Sequence, residues 1–132
     1  MKALTLYQPW ATLISIGAKK IETRSWSTNY RGPLAIHAGK KLPNIDPHFL
    51  REPFHSCLLG HEIPFGFVVA TCELVDVERI YADSYIPGKP ELMFGDYTIG
   101  RYMWKLEHVK ILPGPIPAKG AMGLWEWEEV KA

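Results

Sequence analysis

The chain has 132 residues, of which 47% are hydrophobic and 22% are charged. This length is typical of one domain with one core, and the composition excludes a chain that is mainly disordered. The two cysteines exclude a disulfide scaffold and a four-cysteine zinc site, and no run approaches 18 apolar residues, so we expect no membrane span. The start, MKALTLYQPW, lacks the apolar run of a signal peptide. We therefore expect a soluble protein of a reducing, cytoplasmic compartment.

The net charge of +1 conceals a segregation of charge along the chain. Residues 19–41 contain six basic side chains and one acidic one, whereas residues 43–101 contain nine acidic and four basic ones. The overall balance argues against nonspecific binding of long nucleic acids, but a local basic face is enough to bind phosphate. A solvated charged surface is the alternative, and charge alone favours it.

Alternating apolar residues predict several short strands, whereas clusters of Gly, Pro and polar residues predict the turns. Pro9 suits the first turn of a short helix, and Gly17 suits its end. Residues 42–65 indicate loops with one short helix, residues 81–98 indicate a loop, and the prolines between 113 and 117 indicate a stiff connection. The predicted strands are Lys2–Tyr7, Lys20–Trp26, Leu34–Ala38, Phe65–Ile80, Tyr102–Leu112 and Gly123–Glu128.

Five or six short strands with helices inserted among the early ones predict an α+β domain built on a small β-barrel. A strict alternation of strands and helices is missing, which disfavours a doubly wound sheet. Neither GxGxxG nor GxxxxGK occurs in the sequence. The usual phosphate-binding loops of nucleotide-binding folds are therefore absent from it.

Residues 17–31, GAKKIETRSWSTNYR, hold the densest group of side chains suited to chemistry. On the predicted strand, Glu22, Arg24 and Trp26 share one face because side chains alternate between the two faces. Arginine binds a phosphate or a base edge, and tryptophan stacks on bases. Lys19, at the junction of loop and strand, would carry a proton if it were buried. A surface strand with an ordinary ion pair and a core tryptophan is the alternative, which composition alone favours slightly.

Two further candidates lie outside this block. Glu73 follows an apolar run within a predicted strand, so it is either a partner of Lys19, a general acid or base, or an exposed residue at the strand end. These interpretations are equally supported by the sequence. Lys119, followed by Gly120, belongs to a basic loop that is well placed to contact a ligand, although such loops are common on protein surfaces.

The histidines and cysteines do not form a recognisable metal site. His48, His55, His61 and Cys57 lack the spacing of known zinc motifs, so we predict neither a metal nor another cofactor. His37 lies within the apolar run LAIHA and is interpreted as a core histidine with satisfied hydrogen bonds. The two cysteines are interpreted as core residues.

Several ordered blocks of the chain resemble the ASCH domain family. These blocks are QPWATLISIGAKKIETRSW, YRGPLAIHAGK, RYMWKLEHVKI and PIPAKGAMGLWEW. The GxKxxExR motif of the family matches Gly17, Lys19, Glu22 and Arg24. The resemblance runs over nearly the whole chain, which we interpret as a single ASCH-like domain over residues 1–132. It implies a β-barrel similar to the PUA domain, a cleft near this motif and a role in RNA- or nucleotide-related chemistry.

The resemblance implies, first, a binding module for RNA, another single-stranded nucleic acid or a nucleotide-like small molecule. Basic side chains would then neutralise phosphate, aromatic ones would stack on bases, and Lys19 with Glu22 would contact the polar edge of the ligand. We identify no membrane contact and no protein partner. The candidate binding residues are Lys19, Glu22, Arg24, Trp26, Tyr30, Arg31, Lys40 and Lys119.

The resemblance implies, second, a small hydrolase, because one branch of the family removes the acyl group of acylated cytidine and another member type cleaves nucleic acid. In this chain Glu22 or Glu73 would activate a water molecule, and Lys19 would stabilise the oxyanion. The threonine that the amidohydrolase branch uses falls on Glu22 here, so we favour the binding module. A protein-interaction domain whose cleft binds nothing is the third alternative.

Overall fold

Strands dominate the fold. The computed structural model describes residues 1–41 and 51–128. The strands within these ranges are β1 (Lys2–Leu6), β2 (Ile21–Arg24), β3 (Gly32–Ala38), β4 (Phe67–Arg79), β5 (Tyr102–Pro117) and β6 (Leu124–Glu126). The helices are α1 (Trp10–Ser15), α2 (Phe54–Leu58) and a 3-10 helix at Glu91–Phe94.

The six strands form one mixed sheet in the order β2-β5-β4-β3-β1-β6. β1 and β3 run parallel, with Leu6 opposite Ala38, and all other neighbours run antiparallel. The sheet curls into a half-barrel, since Nη2 of Arg24 in β2 donates a 2.8 Å hydrogen bond to the carbonyl oxygen of Thr5 in β1. Three strands lie between β2 and β1 in the sheet order. The predicted α+β, PUA-like barrel with inserted helices is confirmed.

The main core lies between the concave face of the sheet and helix α1. Trp104 of β5 is fully buried there, and Ala11 and Ile14 of α1 pack against the same cluster. α1 follows Pro9 and ends before Gly17, as predicted. Gly17 has a φ of +81°, a conformation that glycine adopts without steric cost, so the chain can turn sharply from α1 towards β2.

β5 is longer than predicted and continues through the segment expected to be a stiff connection. Its pairing with β4 extends to Ile116 and Pro117, whereas its pairing with β2 involves only Tyr102 to Lys105. The register shifts between Val68 and Ala70 of β4, so that residues 112–115 of β5, including Pro113 and Pro115, have no partner in β4. The pairing with β2 does not reach them either, so these two prolines interrupt no ladder of the described sheet.

The predicted short helix between residues 42 and 65 is confirmed as α2, and the loop of residues 81–98 contains the 3-10 helix. Residues 42–50, including His48, lie outside the described residues, as do residues 129–132. No helix in the described part of the chain is both long enough and apolar enough to cross a membrane.

Candidate ligand-binding site

A cavity of about 970 Å³ opens at the end of the half-barrel where β1, β2 and β3 finish. Because β1 and β3 are parallel, their carboxyl ends meet at the same edge of the sheet, and the curling of the sheet brings β2 beside them. The segment after the 3-10 helix and the loop of residues 118–123 complete the wall. The predicted cleft near the GxKxxExR motif therefore corresponds to a real cavity in this structure.

A carboxylate held between two cations lies in the wall of this cavity. Oε1 of Glu22 lies 3.5 Å from Nζ of Lys19, and Oε2 accepts a 3.0 Å hydrogen bond from Nε of Arg24. The side chain of Glu22 is 11% exposed and that of Arg24 is 23% exposed. Both residues line the cavity, so the predicted ion pair on one face of the strand is present and accessible to a ligand.

Lys19 supports the site from behind, because it is completely buried and is absent from the residues that line the cavity. Its ammonium donates hydrogen bonds to the carbonyl oxygens of Ile21 and Phe94 and forms the ion pair with Glu22. The ammonium therefore has two carbonyl acceptors and one carboxylate partner, all within the protein. Burial lowers the pKa of Lys19, and the nearby carboxylates of Glu22 and Glu91 oppose that shift. The structure therefore does not provide the predicted contact between Lys19 and a ligand in the cavity.

Aromatic side chains line the cavity on two sides. Trp26 packs edge-on against Trp104 with ring centroids 4.8 Å apart, and it also borders the cavity as predicted. Tyr7, at the end of β1, is 54% exposed and lies on the rim. Sequence reasoning missed Tyr7 because nothing distinguishes it from other residues at a strand end. Tyr30, a predicted stacking residue, instead donates its hydroxyl to the carbonyl oxygen of Pro33 and does not line the cavity.

Basic side chains surround the opening. Lys40 and Lys119, both predicted, are exposed and line the cavity, and Lys41 and Arg101 join them. Lys41 follows Lys40 directly and could have been inferred from the sequence, whereas Arg101 follows a distant loop that gives no such signal. Arg31 is not part of this rim. Its guanidinium bonds the carbonyl oxygens of Thr28 and Tyr30, so it orders its own turn.

Glu73 requires a correction. The sequence allowed it to be a buried partner of Lys19, but it is exposed on β4 and lines a different depression together with His108 and Lys110. Its neighbours Cys72 and Leu74 are buried on the other face of β4, so the side chain of Glu73 faces solvent. The structure therefore does not bring together the three predicted catalytic residues, of which Glu22 alone reaches the cavity.

A hydrogen-bonded chain of side chains supports the part of the wall that Thr5 and His37 line. Nε1 of Trp125 donates to Oγ1 of Thr5, which in turn is 3.1 Å from Nδ1 of His37. Nε2 of His37 lies 2.7 Å from the carbonyl oxygen of Ala118 and must donate to it, so Nδ1 accepts from the Thr5 hydroxyl. His37 is buried, and burial lowers its pKa. The interpretation of His37 as a satisfied core histidine is confirmed.

The described residues hold no group of three or more His, Cys, Asp or Glu side chains that could bind a metal ion. Cys72 is buried in the main core, and burial raises the pKa of its thiol to about 12. Cys57 lies in α2, is half-buried and packs against the cluster that contains Leu13 of α1 and Phe94. Neither thiol lines the cavity.

The half-barrel and the polar cavity at its end define a small PUA-like module. The family model of the ASCH domain matches residues 4–112, so the chain belongs to the ASCH domain family, as its sequence motifs predicted. ASCH domains are generally RNA-binding modules of this fold. Activating signal cointegrator 1 of Homo sapiens and that of Mus musculus are each 33% identical to this chain over 79 residues. The match covers 55% of this chain but 14% of each relative, so the chain spans only a small part of their length.

Proposed function

We propose that this protein binds single-stranded RNA or a nucleotide in the cavity at the end of the half-barrel. The observation that carries the proposal is the accessible Glu22–Arg24 pair, which lies in the wall of a cavity with aromatic side chains and a basic rim. Membership of the ASCH domain family supports a ligand of this class. The predicted cytoplasmic location stays a prediction.

The cavity offers each chemical group that a single-stranded nucleotide requires. The rim carries three exposed lysines that can neutralise phosphates, namely Lys40, Lys41 and Lys119. Tyr7 and Trp26 present ring surface on which a base can stack. A duplex would present paired and stacked bases, whereas a single strand can insert an unpaired base into the cavity.

The first experiment measures the affinity of the protein for a short single-stranded RNA at several salt concentrations by fluorescence anisotropy. Each lysine–phosphate contact adds about 0.7 to the slope of log affinity against log salt. We expect Lys40→Met and Lys119→Met each to weaken binding and to reduce that slope by about one such contact. Lys110→Met is the matched control, because Lys110 is an exposed lysine outside the cavity.

A second pair of variants tests the stacking contact. Tyr7→Ala should weaken RNA binding by about 1–3 kcal/mol, the usual contribution of one stacked base. Tyr85→Ala removes a tyrosine that is 90% exposed and lies outside the cavity, so it should leave the affinity unchanged. Equal effects of both variants, or affinity that does not change with salt, would contradict the proposal.

The hydrolase alternative is less well supported by the geometry. It requires an ammonium at the substrate, yet the ammonium of Lys19 is buried, donates to two carbonyl oxygens and pairs with Glu22. Glu73 lies in a separate depression. Incubation of the protein with acylated cytidine and with RNA, followed by mass spectrometry, tests this alternative directly, since product formation would identify an enzyme.

A further inference from the structure

We propose that Gly66 positions Lys40, and that the ammonium held in this way binds one particular phosphate of the single-stranded ligand. This inference rests on the proposed function, because it assumes that RNA or a nucleotide enters the cavity. It adds that the lysines of the rim are not equivalent. It also identifies a glycine, itself not among the residues that line the cavity, that decides where one of them lies.

Gly66 lies at the end of the sheet that borders the cavity, directly before β4. Its N–H donates a 2.8 Å hydrogen bond to the carbonyl oxygen of Ala38 at the end of β3, and its carbonyl oxygen accepts a 3.1 Å hydrogen bond from the N–H of Ala118 after β5. The residue is buried and has a φ of +83°, a conformation that glycine adopts without steric cost. Two hydrogen bonds therefore fix this glycine between the ends of the two neighbouring strands.

The side chain of Lys40 lies across the bare backbone of Gly66. A Cβ atom at Gly66 would lie 3.0 Å from Cγ of Lys40, 3.1 Å from Cε and 3.6 Å from Cδ. Three of the four methylene carbons of Lys40 therefore run along the space that any other side chain at position 66 would need. This contact reaches the carbon that carries the ammonium, so it restricts the rotamers of Lys40 although the side chain is exposed.

The ammonium at the end of this chain is placed to meet a ligand in the cavity. Lys40 lines the cavity, as does His37 of β3. Burial lowers the pKa of His37, and the positive charge of Lys40 acts in the same direction, so the ammonium lies close enough for its charge to act on that ring. Lys40 forms no hydrogen bond or ion pair with any of the described residues. Its donors therefore have no competing acceptor within that part of the chain.

His37 leaves the binding of an anion at this wall to Lys40. Nε2 of His37 donates to the carbonyl oxygen of Ala118, and Nδ1 accepts from the hydroxyl of Thr5. The neutral ring therefore has no donor left for a phosphate oxygen. It also carries no charge that would repel the nearby ammonium.

A restrained lysine binds a phosphate with a smaller entropic loss than a freely rotating one. Ordering a rotamer-rich side chain on binding lowers affinity by about twofold to tenfold, and Lys40 has lost part of this freedom before the ligand arrives. We therefore expect Lys40→Met to weaken RNA binding by about tenfold, the effect of losing one charge-assisted hydrogen bond. Lys119→Met should weaken it by about twofold to fivefold, as for an exposed ion pair. Both should change the salt dependence equally, because each removes one charge.

The decisive experiment neutralises one phosphate at a time. Each linkage of a short single-stranded RNA is replaced in turn by an uncharged methylphosphonate, and fluorescence anisotropy gives its affinity for the unaltered protein, Lys40→Met and Lys119→Met. One linkage should cost about tenfold with the unaltered protein and with Lys119→Met. The same linkage should cost less than about twofold with Lys40→Met, because the ammonium that it contacts is already gone. Methionine keeps an unbranched chain over Gly66, so the charge is removed while the packing is retained.

Gly66→Ala tests the positioning of the lysine. The added Cβ displaces the methylene chain, so the loss caused by Lys40→Met should fall from about tenfold to about threefold in the Gly66→Ala background. A glycine that only stabilised the fold would leave this ratio unchanged. Urea unfolding checks that the variant folds, since alanine is strained at a positive φ. Nuclear Overhauser effects between the Lys40 methylene protons and the Gly66 Hα protons test the contact in the unaltered protein without any substitution.

The outcomes separate this inference from the proposed function. Equal losses for Lys40→Met and Lys119→Met, with no linkage coupled to Lys40, would overturn the role of Lys40 but leave salt-dependent binding of RNA standing. Absence of the proton contacts between Lys40 and Gly66 would overturn the positioning. Inorganic phosphate at the concentration of the RNA should not displace it, and displacement would overturn the assignment to a nucleotide phosphate. Absence of binding to every RNA would overturn both the inference and the proposed function.

Discussion

The buried ammonium of Lys19 gives the clearest prediction about how the site is held together. Lys19→Met keeps an unbranched side chain of similar length but removes the charge and all three donors. The carbonyl oxygens of Ile21 and Phe94 then lose a charge-assisted hydrogen bond, and Glu22 loses one of its two cations. The variant should therefore be strongly destabilised, although the cavity-lining atoms of Glu22 and Arg24 are unchanged.

The expected loss is about 3 kcal/mol. A buried acceptor left without its donor costs about 1–3 kcal/mol, and two carbonyl oxygens are affected. Removal of one partner of a buried ion pair costs about 3–5 kcal/mol when the other charge is left alone, but Glu22 keeps Arg24. Burial of the charged ammonium has a desolvation cost, which also lowers the pKa of Lys19. An uncharged methionine does not have this cost, and its absence offsets part of the loss of stability. For a domain of this size, about 3 kcal/mol corresponds to a fall in Tm of about 10 °C.

Urea unfolding followed by tryptophan fluorescence measures this loss, with Lys20→Met as the control. The Lys20 side chain is exposed, so its replacement should change the free energy of unfolding by less than about 0.5 kcal/mol. A double-mutant cycle with Glu22→Gln isolates the contribution of the ion pair. If Lys19→Met and Lys20→Met had the same stability, the assignment of a structural role to the buried ammonium would be refuted.

Two further predictions concern the part of the cavity wall that Thr5, His37 and Gly120 line. A Cβ atom at Gly120 would lie 2.5 Å from Oγ1 of Thr5 and 2.7 Å from Nδ1 of His37, so Gly120→Ala should lower stability to urea by about 1–3 kcal/mol. Gly114→Ala, where the added atom meets nothing within 4 Å, should change it by no more than about 0.5 kcal/mol, and equal effects would contradict the argument. Burial lowers the pKa of His37, so the folded protein favours the neutral ring. The contribution of this preference to stability is fully present above about pH 6.5, the ordinary pKa of histidine in the unfolded chain, and it is lost as the pH falls through the lower pKa of the folded state. Unfolding curves at about pH 7.5 and about pH 5 test this, and His37→Gln should reduce the difference between them.

Local pattern located the parts of the site that lie on one strand without selecting a face of that strand. The alternation of side chains placed Glu22, Arg24 and Trp26 together, and all three line the cavity, but so do Thr23 and Ser25 of the other face. The same rule gave no information about Lys19, which precedes the strand and turns inward. Its burial depends on the carbonyl oxygen of Phe94, a residue 75 positions away in the sequence, and no local pattern encodes that contact.

The remaining parts of the site depend on contacts between distant segments. Tyr7 and Lys40 meet at one opening because β1 and β3 pair in parallel, and Arg101 arrives there through the start of β5. Glu73 was ambiguous for a different reason, because an apolar run does not reveal which way its last side chain faces. Its neighbours Cys72 and Leu74 are both buried, so Glu73 lies on the opposite, exposed face of β4. The periodicity of a sequence predicts which side chains share a face, whereas contacts between distant segments decide which face is buried.

The Glu22–Arg24 pair in the wall of the cavity is also part of what closes the half-barrel. Arg24 uses Nε to hold Glu22 and Nη2 to reach the carbonyl oxygen of Thr5, which joins β2 to β1 across the end of the sheet. Lys19 holds the same carboxylate from the buried side. A ligand would therefore meet polar groups whose positions the fold has already fixed, and little binding free energy would be lost in ordering them. For the same reason the binding of a ligand in the cavity and the stability of the domain are linked at this point, and substitutions of Arg24 should affect both.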